Sequence, residues 1–345
     1  MPEPEENILT LGIESSCDET AAAVLRGGRV LLSNIISTQI PVHRKYGGVV
    51  PEIASRRHIV NVIPVIEEAL QQADIELNDI KQIAVTYGPG LVGALLVGIS
   101  AAKALAFALD VPLIGVNHLE GHIFANFLSH TELVPPFMAL VVSGGHTALI
   151  HVKDYNHFTL MGQTRDDAAG EAFDKVARVM ALPYPGGPEI DRLAAKGDEN
   201  AIDFPQALRE KRNYEFSFSG LKSAVLNYLN EMKMKRVTVN PANVAASFQK
   251  AVIEVLTQKA LEALSEAKLD KLVLAGGVAA NSALEQRLRE AAETHGFHFY
   301  YPNKVLCTDN AAMIACRGYY QSRIGMFSDL RLNAVPGLSL MDVKA

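Results

Sequence analysis

A chain of 345 residues is too long for one ordinary hydrophobic core, so its length predicts two domains. Apolar residues make up 49% of the chain and charged residues 20%, a composition that excludes a disordered protein. The formal net charge of -6 argues against a strongly basic nucleic-acid binder that works unaided.

Cysteine content and apolar runs indicate the compartment. The 3 cysteines are odd in number and form no CxxC pair, which fits a reducing compartment. The acidic start at Met1–Glu6 lacks the basic and apolar regions of a signal peptide. Residues 90–109 are apolar, but they begin with a Gly-Pro-Gly turn, contain Lys103 and run into another predicted strand. We therefore expect a buried helix there, no membrane segment and a cytoplasmic location.

The first third of the chain shows an α/β pattern. Short apolar runs bounded by polar or glycine turns predict strands, and a long apolar run predicts a helix. In chain order the predicted elements are a strand at 8–13, a polar turn at 14–20, a strand at 21–25, a strand at 83–86, a glycine turn at 87–90, a helix at 91–109 and a strand at 111–116.

A weak internal repeat follows. Its elements are a strand at 136–142, a turn at 143–147, a strand at 148–152, a strand at 272–275, a Gly276-Gly277 turn and a helix at 278–294. The wider spacing in this half predicts an insertion of about 60 residues within 155–245, with helices at 219–232 and 241–267. We expect domains at 1–130 and 131–310, with a C-terminal helix at 311–345 packing back on the first.

Two similar α/β halves, each opening with strand, turn and strand, resemble the actin, sugar-kinase and Hsp70 superfamily. The expected fold class is therefore α/β, a two-lobed actin-like (ribonuclease H-like) ATPase-type fold with a central nucleotide cleft. In that architecture the two turns hold nucleotide phosphates through backbone N–H groups. Glycine suits such turns because the backbone must approach the ligand closely.

His118 and His122 are the most informative pair in the sequence. At i and i+4 on a helix they leave one face, which suits two imidazoles on one metal ion. The pair follows a predicted strand, and open α/β sheets bind ligands at that end of their strands. The alternative is two polar residues on a solvated or half-buried helix face. Glu120 lies two residues after His118 rather than one, so the zinc-protease HExxH motif is absent.

Longer strings in fixed order carry a closer resemblance. They are Glu14–Thr20, Gly47–Glu52, Ala54–Arg56, Gly88–Leu95, His118–His122, Val142–Thr147, Asp166–Lys175, Tyr184–Gly187, Phe216–Lys222, Gly276–Asn281 and Cys307–Asn310. Together they closely resemble the TsaD family, the tRNA N6-adenosine threonylcarbamoyltransferases, once named O-sialoglycoprotein endopeptidases. The resemblance covers the chain from about Leu9 to Ala345.

The resemblance implies a set of site residues. His118, His122 and Asp309 would bind one divalent metal ion, with iron(II) favoured and zinc as the alternative. On the residues alone, Asp309 could instead be a helix N-cap. The implied substrate-binding positions are Val141, Val142, Ser143, Gly144, Gly145, Asp174, Gly187, Asp191 and Asn281. No general base is evident.

The resemblance also implies an activity and partners. The protein would transfer the threonylcarbamoyl group from threonylcarbamoyl-adenylate to N6 of adenosine 37 in tRNAs that read codons beginning with adenine, and AMP would leave. Implied partners are the tRNA anticodon loop, a paralogous TsaB-type subunit and a small TsaE-type ATPase. Candidate RNA-contacting patches are 43–45, 56–58, 209–212 and 233–236, although runs of this kind are more often solvated charged faces.

Three other functions stay open at this point. A nucleotide-sensing scaffold would have no need of the metal-ligating residues. A metallopeptidase is disfavoured by the missing HExxH glutamate and by the nucleotide turns. A sugar or acetate kinase would not need His118, His122 and Asp309 as a cluster.

Overall fold

The structure, a computed structural model, describes residues 7–208, 210 and 212–340. The chain divides into two compact units. Unit 1 contains the chain up to Val134, the short segment Asp154–His157 and the chain from Pro302 onward. Unit 2 contains Pro135–Lys153 and Phe158–Tyr301.

Unit 1 is built on a 5-stranded sheet in the order β3-β2-β1-β4-β5. Its strands are β1 Leu9–Glu14, β2 Glu19–Arg26, β3 Val30–Thr38, β4 Gln82–Gly88 and β5 Leu113–Asn117. The first three strands pair antiparallel, whereas β1, β4 and β5 run parallel. The carboxyl ends of these parallel strands therefore meet at one edge of the sheet.

Helices cover the sheet of unit 1. They are α1 Ile40–His43, α2 Pro51–Ala73, α3 Val92–Leu109 and α4 His118–Ser129. The sheet, α2 and α3 enclose a core that includes Leu11, Val62, Ile83 and Ile99. One face of α3 packs into that core, and Val92, Leu96 and Phe107 remain exposed. The expectation of a buried helix at 91–109 is thus correct for one face only, although its length and hydropathy would also suit a membrane span.

Unit 2 repeats the plan in a second 5-stranded sheet, ordered β10-β9-β6-β7-β8. Its strands are β6 Phe137–Val142, β7 Thr147–Val152, β8 Phe158–Gln163, β9 Lys271–Ala275 and β10 His298–Tyr300. Its helices are α5 Ala169–Val179, α6 Gly186–Ala194, α7 Ser219–Met234, α8 Pro241–Glu266 and α9 Ser282–His295. Residues 158–163, inside the range expected for the insertion, form the third strand of this sheet.

The predicted helix at 278–294 begins late. Gly277–Ala280 forms a 3-10 turn, and α9 starts at Ser282 because the Asn281 side chain accepts a hydrogen bond from Leu284 N. An N-cap of this kind satisfies a donor that the first helical turn leaves free.

The C-terminal part of the chain returns to unit 1 as α10 Lys304–Cys307 and α11 Ala311–Ser322. The expectation of a helix over 311–345 is wrong for residues 323–340, since Gly325 adopts a φ of 76° that no right-handed helix contains. Positions 341–345 of that expected helix lie outside the described residues. Close packing positions α11: a Cβ on Gly12 would lie 2.3 Å from Ala311 O. Glycine in β1 therefore lets the start of α11 approach the sheet.

Candidate metal centre and glycine turns

The first two candidate ligands come from the start of α4. Strand β5 ends at Asn117, whose side chain accepts a hydrogen bond from Leu119 N at 2.9 Å and so begins the helix. His118 is the first helical residue and His122 follows one turn later. Their ring centroids lie 4.6 Å apart at an interplanar angle of 81°. The helix thus brings both imidazoles to the carboxyl edge of the parallel strands.

The third candidate ligand comes from the segment before α11. Asn310 caps that helix, because its side chain accepts a hydrogen bond from Met313 N at 3.0 Å. Asp309 therefore does not serve as the N-cap, and that interpretation of the sequence is excluded. Instead, Asp309 Oδ1 lies 3.4 Å from His118 Nε2 and 3.3 Å from His122 Nε2.

The three side chains fit one metal ion. Each offers a ligand atom, and these atoms lie within 4.8 Å of one another. His122 is fully buried, and neither of its ring nitrogens has a hydrogen-bond partner of acceptable geometry among the described residues. A buried polar group left in that state costs about 1–3 kcal/mol. A metal ion would satisfy one nitrogen, and two imidazoles with a carboxylate leave further coordination positions open.

The charged forms of Asp309 and His118 stabilise each other. Burial alone would raise the pKa of Asp309, but His118 and His122 outweigh it and hold that pKa far below its ordinary value. For His118, burial opposes the charged form, yet Asp309 and Glu14 raise its pKa well above the usual range. Burial lowers the pKa of His122. The carboxylate of Asp309 is therefore ionised and available to a cation.

Sequence reasoning missed Glu14 as a partner of this cluster. Glu14 is fully buried at the end of β1, and its Oε2 lies 3.0 Å from His118 Nδ1. Thr86 Oγ1 donates to the same oxygen at 2.6 Å, and Ser16 N donates to Oε1 at 2.5 Å. A signal existed in the sequence, since β1, β4 and the strand before His118 were all predicted and parallel strands end at one edge.

Glu120, between the two histidines, has a different role. Arg317 Nε donates to Glu120 Oε2 at 2.5 Å, and both side chains are 1% exposed. The carboxylate is therefore committed to an ion pair inside the protein. This geometry gives no support to Glu120 as the base of a peptidase.

In unit 2, the turn after β6 leaves open space beside the backbone of two glycines. Ser143 N donates to His146 O at 2.8 Å, and Gly170 N at the start of α5 donates to Ser143 O at 3.2 Å. A Cβ on Gly144 or Gly145 would meet nothing within 4 Å, and neither residue has a positive φ. Neither packing nor backbone conformation requires glycine at these two positions. Access of a ligand to the backbone would require it.

The two valines before this turn are placed differently. The side chains of Val141 and Val142 are fully buried in β6. Any contact that they make with a ligand must therefore come from the backbone. Gly276 faces the same strand end, with a φ of 92° and a position where a Cβ would lie 2.5 Å from Val142 O. The fold itself requires that glycine.

The remaining candidate positions of unit 2 fall into two pairs. Asp174 Oδ1 accepts from Gly186 N at 2.7 Å, next to Gly187, where a Cβ would again meet nothing within 4 Å. Asp191 accepts from Ser282 N at 3.1 Å, beside Asn281. Asn281 Nδ2 in turn donates to the buried Gln249 Oε1 at 2.9 Å. Hydrogen bonds within unit 2 therefore fix the positions of both pairs.

Some residues of the candidate RNA patches are exposed and others are buried. His43 and His58 are buried and make internal hydrogen bonds, so their assignment to an RNA surface is wrong. The cationic residues at 44–45, 56–57, 233 and 235–236 are exposed. Within the patch at 209–212, positions 209 and 211 lie outside the described residues.

Comparisons with known proteins agree on one family. The family model for TsaD, tRNA N6-adenosine threonylcarbamoyltransferase, matches residues 30–316. A tRNA N6-adenosine threonylcarbamoyltransferase of Clostridioides difficile is 59% identical over 334 residues, covering 97% of this chain and 99% of the relative. The protein of that description from Desulfitobacterium hafniense is 56% identical over 340 residues, covering 99% and 100%.

Solved structures confirm the fold class. HypF of T. kodakarensis superposes with a TM-score of 0.63 at 15% identity, over 92% of this chain and 48% of HypF. Component A of the Acidaminococcus fermentans (R)-2-hydroxyglutaryl-CoA dehydratase gives a TM-score of 0.56 at 15% identity, over 92% and 100%. Both are actin-like ATPase-fold proteins. With its matching family model and near full-length relatives, the chain belongs to the TsaD family of tRNA N6-adenosine threonylcarbamoyltransferases.

Proposed function

We propose that the protein transfers the threonylcarbamoyl group from threonylcarbamoyl-adenylate to N6 of adenosine 37 in tRNAs that read codons beginning with adenine, with release of AMP. Membership of the TsaD family supports the reaction class. The observation that carries the proposal in the molecule is the cluster of His118, His122 and Asp309, because a purely regulatory scaffold has no use for a buried set of metal ligands.

The cluster would hold one divalent ion, for which iron(II) is the first candidate and zinc the second. When bound, such an ion supplies Lewis acidity and a fixed point of positive charge. The protein side chains contribute the rest. Asp309 brings an ionised carboxylate, and His122 brings a buried imidazole with an unsatisfied nitrogen. Together the two side chains form a site in which a cation would satisfy both the charge and the unpaired nitrogen, whereas a water molecule would not neutralise the charge.

The adenylate would bind to unit 2. Backbone N–H groups of the turn Ser143-Gly144-Gly145 would face its phosphate, since such turns form anion-binding concavities. The bare backbone at Gly144 and Gly145 supports this assignment. Asp174, Gly187, Asp191 and Asn281, together with the backbone of Val141 and Val142, would complete the substrate site. The proton of the adenine amine is not assigned to any side chain.

Protein partners are part of the proposal. A paralogous TsaB-type subunit would dock on the exposed apolar face that α2 and α3 share. This α2–α3 face consists of Ile59, Val60, Ile63, Val92 and Leu96, which are 41–65% exposed. Large apolar side chains exposed on two helices that contact each other mark a candidate interaction site. A small TsaE-type ATPase and the tRNA anticodon loop would be further partners, and the reducing cytoplasm the compartment.

Reconstitution tests the reaction. The purified protein, a TsaB-type subunit and a TsaE-type ATPase are incubated with threonylcarbamoyl-adenylate and unmodified tRNA, and the modified nucleoside is measured by mass spectrometry. We expect product with the unaltered chain and none with His118→Ala or Asp309→Ala. Unchanged product yield in these variants would remove the metal cluster from the reaction. The exposed variant Glu293→Ala on α9 controls for the effects of substitution itself.

The docking surface has its own test. Ile63→Glu places a charge on the α2–α3 face and should abolish co-purification with the TsaB-type subunit. Met234→Glu on α7, at a residue that is 77% exposed, is the matched control and should leave the complex intact. Equal complex formation by both variants would place the partner elsewhere.

A further inference from the structure

Among the described residues, Glu14 is the only carboxylate that contacts a candidate metal-binding histidine at the ring nitrogen facing away from the cluster. Its side chain is fully buried, and its Oε2 faces His118 Nδ1 at 3.0 Å, opposite the Nε2 that faces Asp309. We propose that Glu14 is a positioning residue that keeps the proton of His118 on Nδ1, so that Nε2 is the atom that binds the metal. The inference rests on the metal site of the proposed function.

The two ring nitrogens of His118 differ in what they can bind. A neutral histidine carries one proton, and the nitrogen that carries it cannot bind a metal. Glu14 Oε2 lies within hydrogen-bond distance of Nδ1, and an ionised carboxylate can only accept. If Nδ1 were unprotonated, its lone pair would face this anion inside the protein. The proton therefore belongs on Nδ1.

A competing contact has to be weighed. Ser16 Oγ lies 3.2 Å from the same Nδ1, and a hydroxyl could donate to that nitrogen. The carboxylate contact is shorter, and hydrogen bonds to ionised groups are roughly twice as strong as neutral ones. Ser16 Oγ can also accept a share of the Nδ1 proton without conflict. The anion therefore decides the tautomer.

The surroundings of Glu14 keep its carboxylate in one orientation. Thr86 Oγ1 donates to Oε2 and Ser16 N donates to Oε1, so each oxygen has a donor from a different segment. Both partners whose direction is settled, Thr86 Oγ1 and Ser16 N, donate to Glu14, so the side chain at this position must accept through both of its oxygens. Carboxylates that orient metal-ligating histidines in this way typically change metal affinity by about 10- to 100-fold when removed.

Glu14→Gln is the sharpest variant because it keeps the shape and removes the acceptor-only character. In one amide orientation the NH2 group would face Ser16 N–H, and in the other it would face His118 Nδ1 and Thr86 Oγ1. Either orientation places two hydrogen-bond donors opposite each other. The first orientation loses the hydrogen bond from Ser16 N, and the second favours the tautomer of His118 that carries its proton on Nε2 and cannot bind the metal there.

The test measures zinc binding by the full-length, metal-free protein in competition with a chromophoric chelator, so no enzymatic activity is needed. We expect Glu14→Gln to weaken zinc affinity by about 10- to 100-fold. Thr10→Val is the matched control. It removes a buried hydrogen bond between β1 and β4, from Gln82 Nε2 to Thr10 Oγ1, away from the cluster, and should leave zinc affinity unchanged.

Two further measurements separate positioning from simple damage. In the zinc-loaded protein, ¹H–¹⁵N spectra should show a ring proton on Nδ1 of His118, identified by its loss in His118→Gln, and this signal should be absent in Glu14→Gln. Should Glu14→Gln fail to fold, Thr86→Val carries the test. It leaves the carboxylate in place with one donor fewer, and should weaken zinc affinity measurably where Thr10→Val does not.

Three results would overturn the inference. These are unchanged zinc affinity in a folded Glu14→Gln, unchanged affinity in Thr86→Val when Glu14→Gln is unfolded, or a proton on Nε2 of His118 in the zinc-loaded protein. Failure of the metal site itself looks different. In that case His118→Ala and His122→Ala would bind zinc as tightly as the unaltered chain.

Discussion

Arg317 and Glu120 form an ion pair that joins the two helices nearest the candidate metal centre. Glu120 lies on α4 between His118 and His122, and Arg317 lies on α11, the helix that begins two residues after Asp309. Arg317 also donates from Nη1 to Tyr155 O at 3.0 Å and to Asn156 Oδ1 at 2.9 Å. The buried guanidinium thus fixes the distance between the segments that supply the ligands.

Removing one partner of this pair should destabilise the protein strongly. Arg317→Met leaves the Glu120 carboxylate buried and unpaired, which typically costs about 3–5 kcal/mol. Urea unfolding of the metal-free protein measures the loss. Glu120→Gln combined with Arg317→Met should recover part of it, because no charge is then left alone. The exposed pair of Arg56 and Glu52 offers the control, and Arg56→Met should change stability little. Similar stabilities for Arg317→Met and Arg56→Met would contradict this role.

The glycine turn after β6 predicts a separation of stability from binding. Gly144→Ala adds a Cβ where the protein has open space, so the free energy of unfolding should stay within about 0.5 kcal/mol of the unaltered value. Adenylate affinity should fall by about 10- to 100-fold if that Cβ blocks one hydrogen bond from backbone to phosphate. Gly170→Ala is the contrast, since its Cβ would lie 2.5 Å from Ser143 O and should cost about 1–3 kcal/mol. Calorimetric titration with adenylate and urea unfolding measure the two effects, and unaltered adenylate binding by Gly144→Ala would argue against the turn as the phosphate site.

Asn281 combines two roles that a matched cap can separate. Its side chain caps α9 and donates to the buried Gln249 Oε1, so Asn281→Ala should lose about 1 kcal/mol for the cap and a further ~1–3 kcal/mol for the unpaired acceptor. Asn240 caps α8 in the same unit, and Asn240→Ala should lose about 1 kcal/mol for its cap. Only Asn281→Ala should also weaken adenylate binding. Equal adenylate affinity in the two variants would reduce Asn281 to a helix cap.

His58 predicts a pH dependence of stability. Burial lowers the pKa of this histidine below its ordinary 6.5, where it contacts Thr20 Oγ1 at 2.7 Å and Cys17 O at 2.9 Å. Between the folded pKa and about pH 6.5, His58 is therefore protonated in the unfolded chain and neutral in the folded one. This contribution to the free energy of unfolding is therefore complete above about pH 6.5 and is lost as the pH falls through the folded pKa. Urea unfolding at about pH 7.5 and about pH 5.5 should show a larger loss for the unaltered protein than for His58→Gln. Equal losses would mean that His58 does not control this dependence.

Much of the fold could be predicted because its periodic signals are local. The apolar runs at 8–13, 136–142 and 272–275 and the helices at 219–232 and 241–267 appear in the structure within a few residues of the predicted bounds. The strands at 30–38 and 158–163 were missed, since mixed polar and apolar residues at sheet edges give a weak pattern. The helix end at Ser322 depends on a glycine conformation rather than on periodicity.

The candidate site was less predictable, since long-range contacts build it. His118 and His122 could be paired from their spacing alone, whereas Asp309 lies 187 residues further along the chain than His122 and entered through the family resemblance. Glu14 could be placed near His118 only through the shared edge of the predicted strands, and Arg317 carries no signal of its role, because α11 creates its contacts. The burial of His43 and His58 could likewise not be predicted, because charged residues flank both of them in the sequence.

The measurement that tests the central claim most directly compares two tRNA transcripts that differ at one base. The reconstituted protein is incubated with threonylcarbamoyl-adenylate and either a transcript with adenosine at position 37 or one with guanosine there, and the nucleosides are analysed by mass spectrometry. We expect threonylcarbamoyladenosine in the first transcript and no threonylcarbamoylated nucleoside in the second. Equal modification of both transcripts, or modification of neither by the metal-loaded protein and its partners, would contradict the proposed function.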